Sequence, residues 1–331
     1  MDMVRVYQIA PEKLSLMECY VIRTAGGKII VIDGGRDGHG KDFAPYLPAA
    51  IRAVLGLGQN DYFEVEAWFL SHAHTDHIYE LGKMLEAFNS ASNWRIRHLY
   101  FSFPPYENGF VHPSGPRDIS SAELDALKRG LDNYTAVTGQ PGMTYDAVNN
   151  AVITPEAIAA GLTFDIDGVL IDALLTWDDK GKCVNSASTV LRMRAGGKSI
   201  LFLGDAYLDT GDRLLAAYGA DALRSDYVQL AHHGQHGCSK EFYLAIGTDR
   251  AIRLWPSPVW VWGVYRHNAI VCDETRSWFG LPEKPDDYFA AGCDRTGRDI
   301  VSGLYGKYPD DPTKVSDWTQ EILAQQLCAE L

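Results

Sequence analysis

Four residues within a run of six could hold metal ions. His72, Ala73, His74, Thr75, Asp76 and His77 place three histidines and an aspartate in one short stretch. Imidazole and carboxylate together suit zinc, and also manganese or iron. Alternate residues leaving a strand point to one side, so His72 and His74 can pinch one ion. Asp76 and His77 fall on the turn that follows and can serve a second ion beside it. Ligand-type residues rarely cluster so densely without a metal, which outweighs the plain alternative of a solvated polar turn. Two later segments end in the same kind of residue. Asp205 closes the run Ile200–Gly204, and a carboxylate with two oxygens can bridge cations about 3.5–4 Å apart. His232 and His233 close the run Tyr227–Ala231. Adjacent residues point different ways, so one of the two is a ligand and the other shapes the pocket. His232 is taken as the ligand, and His233 as a substrate contact or leaving-group acid.

These side chains need rigid strands beneath them. Val65–Leu70 is a continuous apolar run that enters the histidine cluster directly, and Ser199–Leu203 and Tyr227–Ala231 play the same part for Asp205 and His232. Such runs suit strands buried on both faces. A hairpin is expected from Cys19–Arg23 and Ile29–Ile32 around Gly26-Gly27, ending in Asp33-Gly34-Gly35. A second is expected from Ser188–Arg194 and Ser199–Leu203 around Gly196-Gly197. Further strands are read at Ile96–Phe101, Ile252–Trp255 and Val259–Val264. Helices are read at Ala49–Leu57, Tyr79–Phe88, Arg213–Tyr218 and Val315–Leu327. Two halves, each with buried strands and outer helices, fit a four-layer αββα sandwich, an α/β (α+β) fold. The chain reads as a single domain over 1–331. An insertion lies at about 104–167, with a helix from Ala122 to Val137 opened by a Ser120-x-x-Glu123 capping box. It either covers the site or forms a peripheral helix and loop. A C-terminal extension starts at about 270.

Composition sets outer bounds. The chain has 331 residues, 46% hydrophobic and 22% charged, as in ordinary globular proteins. The net charge is −13 and no basic run appears, which disfavours stable binding of long DNA. A small or short anionic substrate stays compatible with it, because bound cations can dominate the field in one pocket. No apolar run reaches the roughly 18–20 residues that span a bilayer, so no membrane association is expected. Met1–Ala10 lacks the pattern of a signal peptide, which points to the cytoplasm. The six cysteines form no C-x-x-C pair and are read as reduced thiols.

Taken in order, Ile30–Gly35 (IVIDGG), Ser71–His77 (SHAHTDH), Asn185–Ser188 (NSAS), Phe202–Asp205 (FLGD) and Ala231–Gly234 (AHHG) resemble the metallo-β-lactamase superfamily. They are most similar to the branch containing the metallo-hydrolase domain of the DNA-uptake channel protein ComEC. The resemblance spans roughly Cys19 to Gly234. It implies a first ion on His72 and His74, a second on Asp76, His77 and His232, and Asp205 between them. It also implies that Asp33 orients the histidine loop from behind. Many members have a further histidine before the bridging aspartate. Here that place holds Asn185 or its neighbours, and an amide oxygen favours a harder ion or a water-completed site. Tyr79, Glu80 and Gln235 replace small residues or serine and bear on the substrate.

The chemistry implied is hydrolysis with two divalent ions, Zn2+ first and Mn2+ or Fe2+ as options. Such ions acidify a bridging water from a pKa near 15.7 toward about 7, with Asp76 orienting it. The branch resemblance favours a phosphodiester in a small or single-stranded nucleotide substrate. The alternatives are a lactone, thioester or other carbonyl ester, and a metal-binding sensor without turnover. Arg266 and His267, after an aromatic run, are candidates to meet an anionic group.

Overall fold

Short strands with alternating faces build two sheets around a shared core. The computed structural model describes residues 3–9, 17–36, 47–105, 121–178, 180, 183–256, 274–275, 277–279, 288–290 and 327–331. Along the chain come β1 (Arg5–Gln8), β2 (Tyr20–Arg23), β3 (Ile29–Ile32), α1 (Leu47–Leu55), β4 (Phe63–Phe69), α2 (Thr75–Glu86) and β5 (Trp94–Tyr100). Then follow α3 (Ser121–Thr138), α4 (Tyr145–Val148), α5 (Pro155–Ala159), β6 (Thr163–Ile166), β7 (Val169–Leu175), β8 (Val190–Ala195) and β9 (Lys198–Phe202). The rest comprises α6 (Leu208–Tyr218), α7 (Ala220–Leu223), β10 (Tyr227–Gln229), α8 (Lys240–Ala245), β11 (Ile252–Trp255), β12 (Tyr288–Ala290) and β13 (Leu327–Glu330).

The first sheet has the order β13-β1-β2-β3-β4-β5 and the second β12-β11-β10-β9-β8-β7-β6. Both are mixed. β3, β4 and β5 run parallel, as do β9, β10, β11 and β12, while the hairpins β2–β3 and β8–β9 are antiparallel. The period of two sorts the side chains. Tyr20, Ile22, Ile30 and Ile32 meet Ile171, Met193, Ile200 and Phe202 between the sheets. On the opposite faces, Val21 and Val31 pack with Ile51, Leu81 and Leu127 of α1, α2 and α3. Leu201, Leu203 and Val228 pack with Leu214, Phe242 and Tyr243 of α6 and α8. The layers are therefore helix, sheet, sheet, helix, as expected, with two mixed sheets flanked by helices.

Strands β1 and β13 were not expected from the sequence; each is only four residues long. Leu327, read as the end of a helix, begins β13, which pairs with β1. The described parts of the extension thus add an edge strand to each sheet. Val259–Val264, most of Val315–Leu327, Ser120 with its capping box, Arg266 and His267 lie outside the described residues. Helix α3 belongs to the stretch read as an insertion, and it is pinned to β5. Tyr134 Oη accepts from Ile96 N at 2.8 Å and donates to Ile96 O at 2.9 Å. No helix among the described residues is long and apolar enough to cross a membrane.

One polar cluster ties the second sheet together away from the site. Asp172 on β7 accepts from Arg194 at 2.8 and 2.9 Å, from Arg192 at 3.0 and 3.1 Å and from Thr163 at 2.9 Å. Burial opposes its charge, but Arg194, Thr163 and Arg192 hold the carboxyl below the usual carboxylate range. A depressed folded-state value means the contribution is complete above the unfolded pKa of about 3.9 and is lost as pH falls through the lower one. Asp172→Asn is expected to lower stability at pH 7 by about 1–2 kcal/mol, given that both guanidiniums are partly solvated. Urea melts check this, and the gap between variant and parent should close on acidification below about pH 4.

Candidate metal centre

The carboxyl ends of parallel strands are where ligands bind in open α/β sheets, and four such ends meet here. Asp33 follows β3, His72 follows β4, Asp205 follows β9 and His233 follows β10. Helix α2 begins at Thr75, four residues earlier than the sequence suggests, so Asp76 and His77 occupy its first turn. The histidine-rich segment carries no apolar period, which hid the start of the helix.

Asp33 organises the loop. It is fully buried, with a left-handed backbone at φ 60°. One carboxylate oxygen accepts from Ser71 N at 2.7 Å; the other accepts from Ser71 Oγ and from His77 Nδ1, both at 2.8 Å. A carboxylate on Nδ1 fixes the tautomer that leaves Nε2 as a lone-pair donor. His77 Nε2 then stands 3.1 Å from Asp205 Oδ1.

Two sets of donors share Asp205. In the first, His72, His74 and Asp205 each offer a ligand atom within 4.8 Å of the others. His72 Nε2 lies 3.0 Å from His74 Nδ1 and 3.5 Å from Asp205 Oδ2. In the second, the four are Glu18, His77, Asp205 and His233, all buried, on the same distance limit. His233 Nε2 is 3.7 Å from Asp205 Oδ1 and 3.0 Å from Asp76 Oδ2. Asp76, expected as a ligand, stands beside this set against His233, and Glu18 takes a place in it that the sequence reading did not foresee. Only its position before a short strand marked Glu18 in the sequence.

The electrostatics are those of a site built for cations. Burial lowers the pKa of His72 to about 4, with His77 adding to the effect. Burial works against the charge of His77 too, yet Asp205 and Asp33 hold its pKa well above the usual range. Burial likewise opposes ionisation of Asp205, but His77, His233 and His72 keep its carboxyl well below normal. For Glu18 burial dominates and raises the pKa strongly, with His77 opposing.

The sequence expectation takes His232 as the ligand, and the two adjacent histidines differ in what they meet. His233 joins the second donor set, whereas His232 Nδ1 lies 2.6 Å from Gln235 O and its N–H donates to Gly204 O at 3.1 Å. Both residues are left-handed, with φ 53° and 55°. Strand alternation therefore stops before them and cannot decide which ring faces inward. Gly234 continues the turn at φ 75°, and a Cβ there would stand 2.3 Å from the Trp255 ring. Gly234→Ala is expected to destabilise the fold by about 2–4 kcal/mol through overpacking and backbone strain. A thermal melt of the metal-free variant measures this.

Asn185 opens a short 3-10 turn, Asn185–Ala187, and its Oδ1 is buried without a hydrogen bond. The residues after it reach the centre. Ser188 Oγ accepts from Asp205 N at 3.2 Å, and Thr189 N donates to Ser71 O at 2.8 Å. Buried polar atoms are normally satisfied. Here Glu18 Oε1, His77 Nε2, Asp205 Oδ1 and Asn185 Oδ1 have no satisfied hydrogen bond among the described residues, His77 Nε2 and Asp205 Oδ1 meeting only each other at 3.1 Å. Imidazole and carboxylate groups left unsatisfied and gathered in one place fit divalent metal ions.

Residues 18–232, more than half of the chain, match the family model described as Metallo-beta-lactamase superfamily. The chain belongs to that superfamily. As a metallo-β-lactamase superfamily member it is a metal-dependent hydrolase. Among solved structures it is similar to the metallo-beta-lactamase fold protein YhfI from Bacillus subtilis, at 14% identity over 89% of this chain and 98% of that one, TM-score 0.43. It is also similar to a putative Zn-dependent hydrolase of the superfamily from Thermotoga maritima, at 11% identity over 87% and 97%, TM-score 0.36. A diphosphatase from the PhnP family gives 13% identity over 87% and 94%, TM-score 0.44. The chain has no match among curated proteins. Membership rests on the matching residues and not on these likenesses.

Proposed function

We propose that this metallo-hydrolase is a two-metal phosphodiesterase acting on a small or single-stranded nucleotide substrate. The observation that carries the reading is the pair of donor sets meeting on the two oxygens of Asp205. Two adjacent cations suit in-line displacement at phosphorus, where the attacking and leaving oxygens both need charge stabilisation. The order of the sequence motifs, most similar to the ComEC-type branch, supports the phosphodiester.

His72, His74 and Asp205 would hold one ion, and His77, Asp205 and His233 the other. Bound divalent ions supply Lewis-acid polarisation of a phosphoryl oxygen and an acidified water nucleophile. The protein supplies placement. Asp33 fixes the ring of His77 from behind, and Ser71 carries that restraint to His72, its Oγ lying 3.0 Å from His72 Nδ1. Asp76, partly exposed and opposite His233, is the carboxylate positioned to orient a nucleophile at the mouth. With His233 among the donors, the leaving-group role expected of it is not part of this reading. Zinc is the first candidate, with manganese or iron as options. A reducing compartment such as the cytoplasm belongs to the same reading, and suits the buried free thiols of Cys19, Cys183 and Cys238.

The test is metal content of protein purified without chelator, followed by bis(p-nitrophenyl) phosphate turnover with added zinc or manganese. About two ions per chain with metal-dependent turnover supports the proposal. Two ions with turnover only on lactones or thioesters replaces the phosphodiester by a carbonyl ester. Bound metal with no turnover on either class makes the protein a sensor, and no metal under any loading condition overturns the reading.

A further inference from the structure

We infer that Glu18 is a ligand of the second metal position, so that this site is built from two carboxylates and two imidazoles. The inference rests on the two-metal reading above and adds a residue to it.

Glu18 is 1% exposed and precedes β2, where the chain is held on both sides. Its N–H donates to Asp76 O at 3.0 Å, and the next residue, Cys19, accepts from Ile9 N at 2.8 Å. The backbone thus ties Glu18 to the metal-binding loop itself. Its two carboxylate oxygens differ. Oε2 accepts from Gln229 Nε2 at 3.2 Å, whereas Oε1 is buried with no hydrogen bond among the described residues.

Gln229 shows that this asymmetry is built in. It is wholly buried on β10, and its Oε1 accepts from Leu203 N. Its amide nitrogen therefore faces acceptors: Gly204 O at 3.0 Å, Leu230 O at 2.8 Å and Glu18 Oε2. The amide cannot flip without opposing oxygen to oxygen, so it anchors one side of the Glu18 carboxylate. The carboxylate offers a ligand atom within 4.8 Å of those of His77, Asp205 and His233. A carboxylate this deeply buried is costly unless a cation meets it. A divalent ion between these donors meets that need.

The added oxygen changes what the site selects. Carboxylate suits harder ions, so Glu18 shifts the second position toward manganese and away from zinc.

The experiment titrates metal-free native chain and Glu18→Gln with Mn2+ and with Zn2+, reading ions bound per chain and the dissociation constant of each step. The amide keeps the shape and an acceptor for Gln229 but removes the anionic donor. The native chain is expected to bind two ions. In Glu18→Gln the second step should weaken at least about tenfold for Mn2+ and less for Zn2+. Visible absorption of the Co2+-loaded proteins should change as well, because the donor set changes. Two ions bound with unchanged constants and spectrum overturn the assignment while leaving the two-metal reading intact. No ion bound by the native chain overturns both. If Glu18→Gln does not fold by near-ultraviolet circular dichroism, Glu18→Asp decides: its shorter reach weakens the second step if Glu18 is a ligand, and unchanged binding overturns the assignment.

Discussion

Asp205→Ala is expected to lower turnover of a phosphodiester probe by on the order of 10³-fold, corresponding to about 4 kcal/mol of lost transition-state stabilisation. Both ions should be retained more weakly. No other residue of the centre serves both donor sets: Oδ2 is 3.5 Å from His72 Nε2, and Oδ1 is 3.1 Å from His77 Nε2. Ser188 Oγ anchors the backbone beneath it by accepting from Asp205 N. Metal content by elemental analysis, with turnover on the same samples, checks the claim. Normal metal content with normal turnover would remove Asp205 from the site.

The metal-free protein gives a second readout. Asp205 is held below the carboxylate range, so its contribution is complete above about pH 4 and is lost as pH falls through the lower folded value. His77 is raised, so its contribution is complete below about pH 6.5 and is lost as pH rises through the higher folded value. The stability difference between the parent and Asp205→Ala, both without metal, should therefore be largest between about pH 4 and 6.5.

The second large effect separates two neighbours. His233→Ala is expected to lose the second ion and to reduce turnover by on the order of 10²-fold or more. His232→Ala should keep both ions, cost less than about tenfold in turnover and lower stability by about 1 kcal/mol, the worth of its contact with Gln235. Each variant is loaded with metal, counted and assayed. The reverse ranking would mean that the rings exchange places when ions bind.

The fold was legible where apolar runs were long enough to show a period. The strands leading to His72, Asp205 and the two histidines, and both hairpins, lie where the residues indicate. What escaped had little local signal. β1 and β13 are four residues each and need a distant partner to form. The candidate metal ligands were conspicuous because histidine and aspartate crowd together at 72–77. Asp33 was singled out by its motif, and it bonds Ser71 and His77. Glu18 is a lone glutamate beside an apolar strand, and only folding brings it to Asp205. The choice between His232 and His233 depends on two left-handed residues, a backbone state that side-chain pattern does not reveal.

The two donor sets also bear on how the molecule holds together. His72, His74 and His77 follow the carboxyl end of β4 in one sheet, while Asp205 and His233 follow the carboxyl ends of β9 and β10 in the other. An ion held in either position would join both sheets and act as a cross-link without a covalent bond. Occupancy and inter-sheet cohesion are then one equilibrium, worth about 2.7 kcal/mol when the free ion exceeds its dissociation constant a hundredfold. Chelation should therefore loosen the seam between the sheets before it melts either one. Amides at the carboxyl ends of β3 and β9 should lose protection from hydrogen exchange ahead of those on α1 and α6.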